Sequence, residues 1–227
     1  MTLTGISSMA TRLVLADLAQ AYTARSGVAV AITSVGGVDA AKRVEAHEAF
    51  DLAILGEAAM RKLEASGHVL PDSVMPLVNS ATAIAVRSGT PHPDITSEAA
   101  LRDAVLAAES ISYSTGPSGV ALAALFERWG IAEAIAPRIV TPPPGTPVGS
   151  LVASGQVALG FQQLSELLHV QGVDIVGHMP EAVAINTIFA GGVCATSPQP
   201  EAVRDVLRFM ASPEATEAKR RQGMDPA

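Results

Sequence analysis

Short apolar runs alternate with stretches of helical period along most of the chain. Residues 2–6 read as a strand, and 9–25 as an amphipathic helix with Leu13, Leu15, Leu18 and Tyr22 among its apolar positions and Gly27 as its stop. A strand over 28–33, a helix from 38 to about 47, a strand over 51–55 and a helix over 58–65 closed by Gly67 follow. This βαβαβα series predicts a parallel sheet covered by helices. Residues 81–87 are β-rich and lead into the turn-forming Ser88-Gly89-Thr90-Pro91-His92-Pro93, which suggests a first crossing between two lobes. A second series predicts helices over 97–107, 119–129, 148–154 and 164–171 and strands over 111–114, 138–140, 157–161 and 174–176. Pro142-Pro143-Pro144-Gly145 suits neither a helix nor a central strand. The apolar run 182–196 reads as the return crossing, and helices over 200–210 and 213–222 finish the chain on the first lobe. The expected fold class is α/β with two lobes, residues 1–82 plus 187–227 and residues 83–186, each a mainly parallel sheet flanked by helices, with two crossover strands as hinge.

Polar residues collect where strands hand over to helices. Ser7-Ser8, Gly36-Gly37 and Ser114-Thr115-Gly116-Pro117-Ser118-Gly119 each stand at a helix mouth. Free N–H groups and the positive ends of helix dipoles there can converge on one anion. In an open α/β sheet such exits hold ligands, so two lobes would place these segments around a shared cleft. Each segment also has a plain structural use. Ser7 and Ser8 fit a helix cap with or without a ligand contact. Gly36 and Gly37 serve a turn or let a ligand approach the backbone, and Ser114, Thr115, Ser118 and Gly119 divide the same way. Gly145 belongs to a rigid turn or a ligand wall. Gln162 and Gln163 follow a buried strand, so one caps structure while the other faces the cleft, and Asn186 ties the hinge backbone or meets the ligand. Glu57, after the strand 51–55, is the candidate base, with a helix N-terminal carboxylate as the alternative. Lys42 and Arg43 are solvated helix residues or partners for a carboxylate.

Composition narrows the chemistry. The 227 residues are 48% hydrophobic and 16% charged, enough apolar content for a substantial core. A net charge of -7 disfavours a nucleic-acid partner, and Lys219-Arg220-Arg221 fits the last turn of a helix. The single Cys194 allows no internal disulfide and reads as a buried strand residue. The five histidines lack metal-ligand spacing, so no metal is expected. With neither a Walker lysine nor a G-x-G-x-x-G run, no nucleotide cofactor is implied either. No apolar run reaches the roughly 18 residues of a membrane span. The first strand starts directly after Met1 without a basic, apolar leader, which points to the cytosol if Met1 is the native start and to the periplasm if the chain is a trimmed mature form.

Several stretches carry a resemblance. Ile6-Ser7-Ser8-Met9 precedes a long helix, Ser34 to Val38 precedes a helix carrying Ala41-Lys42-Arg43-Val44-Glu45-Ala46, and Phe50-Asp51-Leu52-Ala53-Ile54-Leu55 follows it. Gly155-Gln156-Val157-Ala158-Leu159-Gly160-Phe161 and Ser212-Pro213-Glu214-Ala215 come later. Together they resemble type II periplasmic binding proteins of the molybdate-binding kind, from Thr2 to about Gly223. The resemblance implies that fold and a small anionic ligand, with an ABC permease as partner if the chain is exported. Molybdate binders tend to offer a hydroxyl-rich second loop and a tyrosine after the strand equivalent to 157–161. Here those places hold Gly36-Gly37 and Gln162-Gln163, and an amide pair suits carboxyl or hydroxyl groups as well as an oxyanion. An aconitate isomerase is also similar to these binding proteins. The resemblance therefore implies a cytosolic isomerase shifting a proton on an unsaturated polycarboxylate or, as the alternative, a non-catalytic solute binder for molybdate, another oxyanion or a carboxylate that feeds an ABC transporter, or a cytosolic sensor.

Overall fold

The computed structural model describes residues 2–143 and 145–227, so Met1 and the Pro144 position of the expected proline turn lie outside the described residues. The chain separates into two compact units, Met1–Ser80 with Ile188–Ala227, and Ala81–Thr187. In order, the elements are β1 (Thr2–Ser8), α1 (Arg12–Ser26), β2 (Ala29–Val35), α2 (Gly37–Glu45), β3 (Leu52–Gly56), α3 (Glu57–Ala65) and β4 (Met75–Arg87). Next come α4 (Glu98–Ala107), β5 (Ile111–Tyr113), α5 (Pro117–Arg128), α6 (Ala132–Ile135), α7 (Val148–Ala153), β6 (Leu159–Gln163), α8 (Leu164–Leu167) and β7 (Val173–His178). β8 (Asn186–Val193), α9 (Pro200–Ala211), α10 (Thr216–Arg221) and β9 (Asp225–Pro226) complete the series. The chain passes from one unit to the other inside β4 and again inside β8. No helix among the described residues is long and apolar enough to cross a membrane.

In the first unit β1 is the centre of a parallel trio, paired with β2 on one side and β3 on the other, and β8 joins β3 antiparallel. The β3 segment Leu-Ala-Ile-Leu-Gly is buried at every position, as a strand covered on both faces must be. One face packs α1 and α9 through Leu15, Leu18, Val206, Leu207 and Met210, with Ala218 of α10 against them, and the other packs α2 and α3 through Val44, Met60 and Leu63. Gly27 ends α1 in the left-handed conformation with φ 73, and its N–H bonds Thr23 O, as its place after the last periodic residue predicts. Asp51 fixes the entry to β3, accepting from Thr4 N at 2.8 Å and from Ser197 Oγ at 2.7 Å.

In the second unit β5 and β6 run parallel, whereas β4 pairs antiparallel with both β6 and β7. The crossing strands thus run against their neighbours, a direction that hydrophobic period does not encode. Phe126, Phe161, Ile84 and Leu122 form the main core, and Val148, Val152 and Val157 a smaller one on the opposite face of β6.

Several expected boundaries need correction. The strand expected over 138–140 is a 3-10 turn at Ala136–Arg138 followed by an isolated bridge from Ile139 to Ile111. Pro137 lacks a donor for a ladder. The Arg138 guanidinium instead ties to Leu106 O at 2.8 Å and Ala108 O at 2.5 Å. The strand expected over 157–161 begins at Leu159, because Val157 N closes the end of α7 on Leu151 O and its side chain fills the smaller core. The helix expected over 164–171 is the single turn α8. The long helix expected over 9–25 opens as a 3-10 turn, Met9–Thr11, before α1 proper.

Candidate functional site

The first unit brings three of its expected residues together. Ser7 and Ser8 lie inside β1 rather than after it, and neither side chain caps a helix. The capping role expected of them is therefore absent, because the 3-10 turn separates them from α1. Ser7 is fully buried, and its hydroxyl meets that of Ser34, its register partner on β2, at 2.8 Å. Ser8 reaches sideways instead: a Cβ on Gly37 would sit 3.7 Å from Ser8 Oγ. Gly36 is the N-cap of α2 and Gly56 that of α3, and neither helix start has a capping side chain. Ser8, Gly36 and Gly37 thus offer a hydroxyl and a glycine-capped helix start side by side at the carboxyl ends of β1 and β2. Glu57 is the first residue of α3, half-buried, with Oε1 3.4 Å from Arg61 at i+4. Arg43 pairs with Glu48 at 2.7 Å and stacks on Phe50, while Lys42 is exposed.

The second unit has a different character. Ser114 and Ser118 face each other at 3.1 Å across the start of α5, whose N-cap is Gly116, and Thr115 is exposed. Gly119 is buried with a structural reason of its own. A Cβ there would lie 1.5 Å from Ser114 O, so α5 can press against the β5 exit only with a glycine at this place. Gly145 takes φ 77, as a turn glycine does.

Gln162 and Gln163 are the last two residues of β6, and strand alternation sends them to opposite faces. On the α7 face, Gln162 Oε1 accepts Gly149 N–H at 2.9 Å. Gln163, on the face of Leu159 and Phe161, donates through Nε2 to Thr187 Oγ1 at 2.9 Å and leaves Oε1 buried with no partner. Both glutamines are about 3% exposed. Asn186, the residue expected at the hinge, is exposed, and its neighbour Thr187 is the inward one. In β8 the exposed 186 and 188 alternate with the buried 187 and 189, but Asn-Thr-Ile-Phe carries no matching polar and apolar alternation in the sequence. Thr82 was also missed: it pairs directly with Gln163 across β4 and β6, is 2% exposed, and its Oγ1 has no partner.

A second carboxyl was missed as well. Glu166 in α8 is pushed up to about 7 by burial, opposed by a hydrogen bond from Gln162. Nothing in the sequence marks it, because the pattern over 164–171 predicts an ordinary helix with solvated charges. Cys194 is buried, and burial together with the nearby Asp51 charge raises its thiol to about 12, which leaves it without thiolate character at neutral pH.

The family model described as bacterial extracellular solute-binding protein matches residues 3–225. The chain belongs to that family. The mixed α/β architecture of this chain recurs in solved structures. The periplasmic molybdate-binding protein of Azotobacter vinelandii superposes with a TM-score of 0.80 at 19% identity, covering 98% of each chain. The sulfate-binding protein SubI of Mycobacterium tuberculosis gives 0.81 at 16% identity, over 100% of this chain and 87% of that one. At those identities the likeness speaks for the fold alone. An aconitate isomerase from Pseudomonas sp is 37% identical over 233 residues, 99% of this chain and 88% of that protein. The type II binding-protein resemblance and the two-lobed α/β class expected from the sequence both agree with these findings.

Proposed function

We propose that this family member binds a small di- or tricarboxylate and interconverts isomers of an unsaturated polycarboxylate by a proton shift. The observation that carries the reading is the 37% identity to an aconitate isomerase over nearly the whole chain. The Gln163 amide supports it, because it is buried with Oε1 unpartnered and an amide can meet a carboxyl group, whereas Gln162 is committed to Gly149 and Glu166. In this reading each unit uses its own strand exits for carboxylate binding, Ser8 with Gly36 and Gly37 in the first and Ser114 to Gly119 with Gln163 in the second. Hydroxyl and backbone N–H donors meet carboxylate oxygens there, and the Gln163 amide offers its free carbonyl oxygen as an acceptor.

The chemistry needs one base and a stabilised carbanion. A C–H bond at the methylene beside the double bond breaks and the proton passes to a carboxylate. The electron pair spreads over the allylic system onto a carboxyl group, and a new C–H bond forms at the far carbon. That new bond is made by the same proton, returned from the carboxylate, so the isomerisation has no net gain or loss. Glu57 at the head of α3 is the base in this proposal. Incubation with either isomer of aconitate, followed by NMR of the mixture, tests it. Approach to the same isomer ratio from both sides is the expected result, and Glu57→Gln is expected to slow it at least a hundredfold. Full turnover by that variant removes Glu57 from the role.

The family match favours a second reading, a non-catalytic receptor that hands a solute to an ABC permease. Binding of a carboxylate, molybdate or sulfate with no change in the ligand selects it. The first reading sets the protein at work in the cytosol and the second in the periplasm.

A further inference from the structure

The second unit holds a polar arrangement that its own fold leaves incomplete. Thr82 and Gln163 are direct partners in an antiparallel ladder, so their side chains leave the same face with Cβ atoms about 5 Å apart. Gln163 Nε2 is committed to Thr187 Oγ1 at 2.9 Å. That bond turns the carbonyl end of the amide away from Thr187 and leaves Oε1 with no donor, beside a Thr82 hydroxyl that has no partner. Thr82 and Gln163 are 2% and 3% exposed. A buried acceptor and a buried hydroxyl, side by side and unmatched, ask for a group that donates through one atom and accepts through another.

A carboxylic acid is such a group, whereas a fully ionised carboxylate, molybdate or sulfate has no proton to give. We propose that Gln163 and Thr82 select a protonated carboxyl: one arm of the bound polycarboxylate is held as the neutral acid. Its O–H donates to Gln163 Oε1, and its carbonyl oxygen accepts from the Thr82 hydroxyl. This rests on the polycarboxylate reading and deepens it. Binding above the last ionisation of the free ligand then takes one proton from solvent, and the amide carbonyl turns aprotic oxyanions away.

Other titrating groups near this place have to be separated from the ligand. They are Glu166 on α8, His178 on β7 opposite Ala83, and Tyr113 on β5 opposite Phe161; β6, β8 and the start of α5 carry none, and Glu127 and Arg128 lie at the far end of α5.

The test is calorimetric titration of propane-1,2,3-tricarboxylate, a saturated analogue that cannot isomerise, at pH 7.5 to 8.5 in buffers of different ionisation enthalpy. The expected result is uptake of about one proton per ligand, with affinity falling about tenfold per pH unit. Glu166→Gln and His178→Asn are expected to keep that uptake, and Gln163→Met to abolish it and flatten the pH dependence. Thr82→Val is expected to weaken binding about tenfold while keeping the uptake. Wild-type binding with no proton uptake overturns the proposal while leaving the carboxylate reading intact, and needs no variant to fold. The same holds if the uptake disappears in Glu166→Gln or His178→Asn but survives in Gln163→Met. If molybdate or sulfate binds and no polycarboxylate does, both the proposal and the reading beneath it fall.

Discussion

The strand exits of the two units solve the same problem with different materials. In the first unit the buried hydroxyl is already matched, Ser7 to Ser34, while Ser8 stands beside Gly37 and the glycine-capped helix starts present backbone rather than side chain. In the second unit the exit of β6 carries two buried amides and a buried threonine, with Gln163 Oε1 and Thr82 Oγ1 unmatched and Glu166 titrating near 7. The first unit has unmatched polar atoms too, at Asn79, Ser80 and Lys219, but they belong to β4 and α10 rather than to the exits of β1, β2 and β3. Backbone donors at a glycine turn are indifferent to which oxygen they meet, whereas a fixed amide distinguishes a donor from an acceptor. On the proposed carboxylate reading, this difference would give the first unit general anion affinity and the second discrimination among ligands.

The sharpest break of that comparison uses glycines. Gly119→Ala forces a Cβ to within 1.5 Å of Ser114 O, a backbone atom that cannot step aside without moving the head of α5. A loss of about 3 kcal/mol or more is expected, read from urea or thermal unfolding. Gly37→Ala meets nothing nearer than Ser8 Oγ at 3.7 Å, so its stability should change by less than about 1 kcal/mol while ligand affinity falls. Equal destabilisation by both would erase the contrast between a packing glycine and an approach glycine.

Lys219 gives the next largest effect. It is fully buried with Nζ unpartnered, and burial lowers its pKa from 10.5. The unfolded chain therefore holds the proton more tightly, and stability declines as pH falls below about 10.5, so the cost is present at neutral pH. Lys219→Met should stabilise the protein by about 2 kcal/mol at pH 7 and by less at pH 10.5. A destabilised variant at pH 7 would mean that the amine has work to do in the first unit.

Much of the fold was legible because the signals were local. Gly27 after a periodic helix, Pro200 and Pro213 at helix starts, and the fully apolar 52–55 run each state their structure within a few residues. The misses came from contacts between distant segments. Nothing near Arg138 in sequence announces that its guanidinium would bind the carbonyls of residues 106 and 108, and that contact takes the place of a strand. Val157 reads as strand, yet its N–H closes α7. A strand displaced by two residues takes Gln162 and Gln163 into β6 on opposite faces, and only there does Gln163 meet Thr82 and Thr187. Their importance depends on the β4 and β6 register and on the strand phase of β8.

Glu166 sharpens the comparison through pH. Its folded pKa of about 7 stands above the ordinary 4.5, so the neutral acid is the form the fold prefers. Below about pH 4.5 the group is protonated in both states and costs nothing. As pH rises to 7 the unfolded chain releases the proton first and stability declines, and above 7 the full cost remains. Glu166→Gln, which keeps the shape without the charge, should gain about 1–2 kcal/mol at pH 8 and almost nothing at pH 4, after allowance for its partial exposure. An unchanged stability difference across that range would place the carboxyl in water.

The smallest effect belongs to the matched side. Ser7→Ala removes the bond to Ser34 Oγ, and because Ser34 is only half-buried its hydroxyl can turn to solvent, so the loss should be about 1 kcal/mol. Ser34→Ala strands the fully buried Ser7 hydroxyl, which retains only a 3.3 Å contact to Ser8 O, and should cost more. In the double variant neither hydroxyl remains to be satisfied, so the combined loss should fall below the sum of the two singles by about 0.5–1 kcal/mol. Strict additivity in denaturant titrations would show that the two hydroxyls act independently, and the first unit's exit would then be no better matched than that of β6.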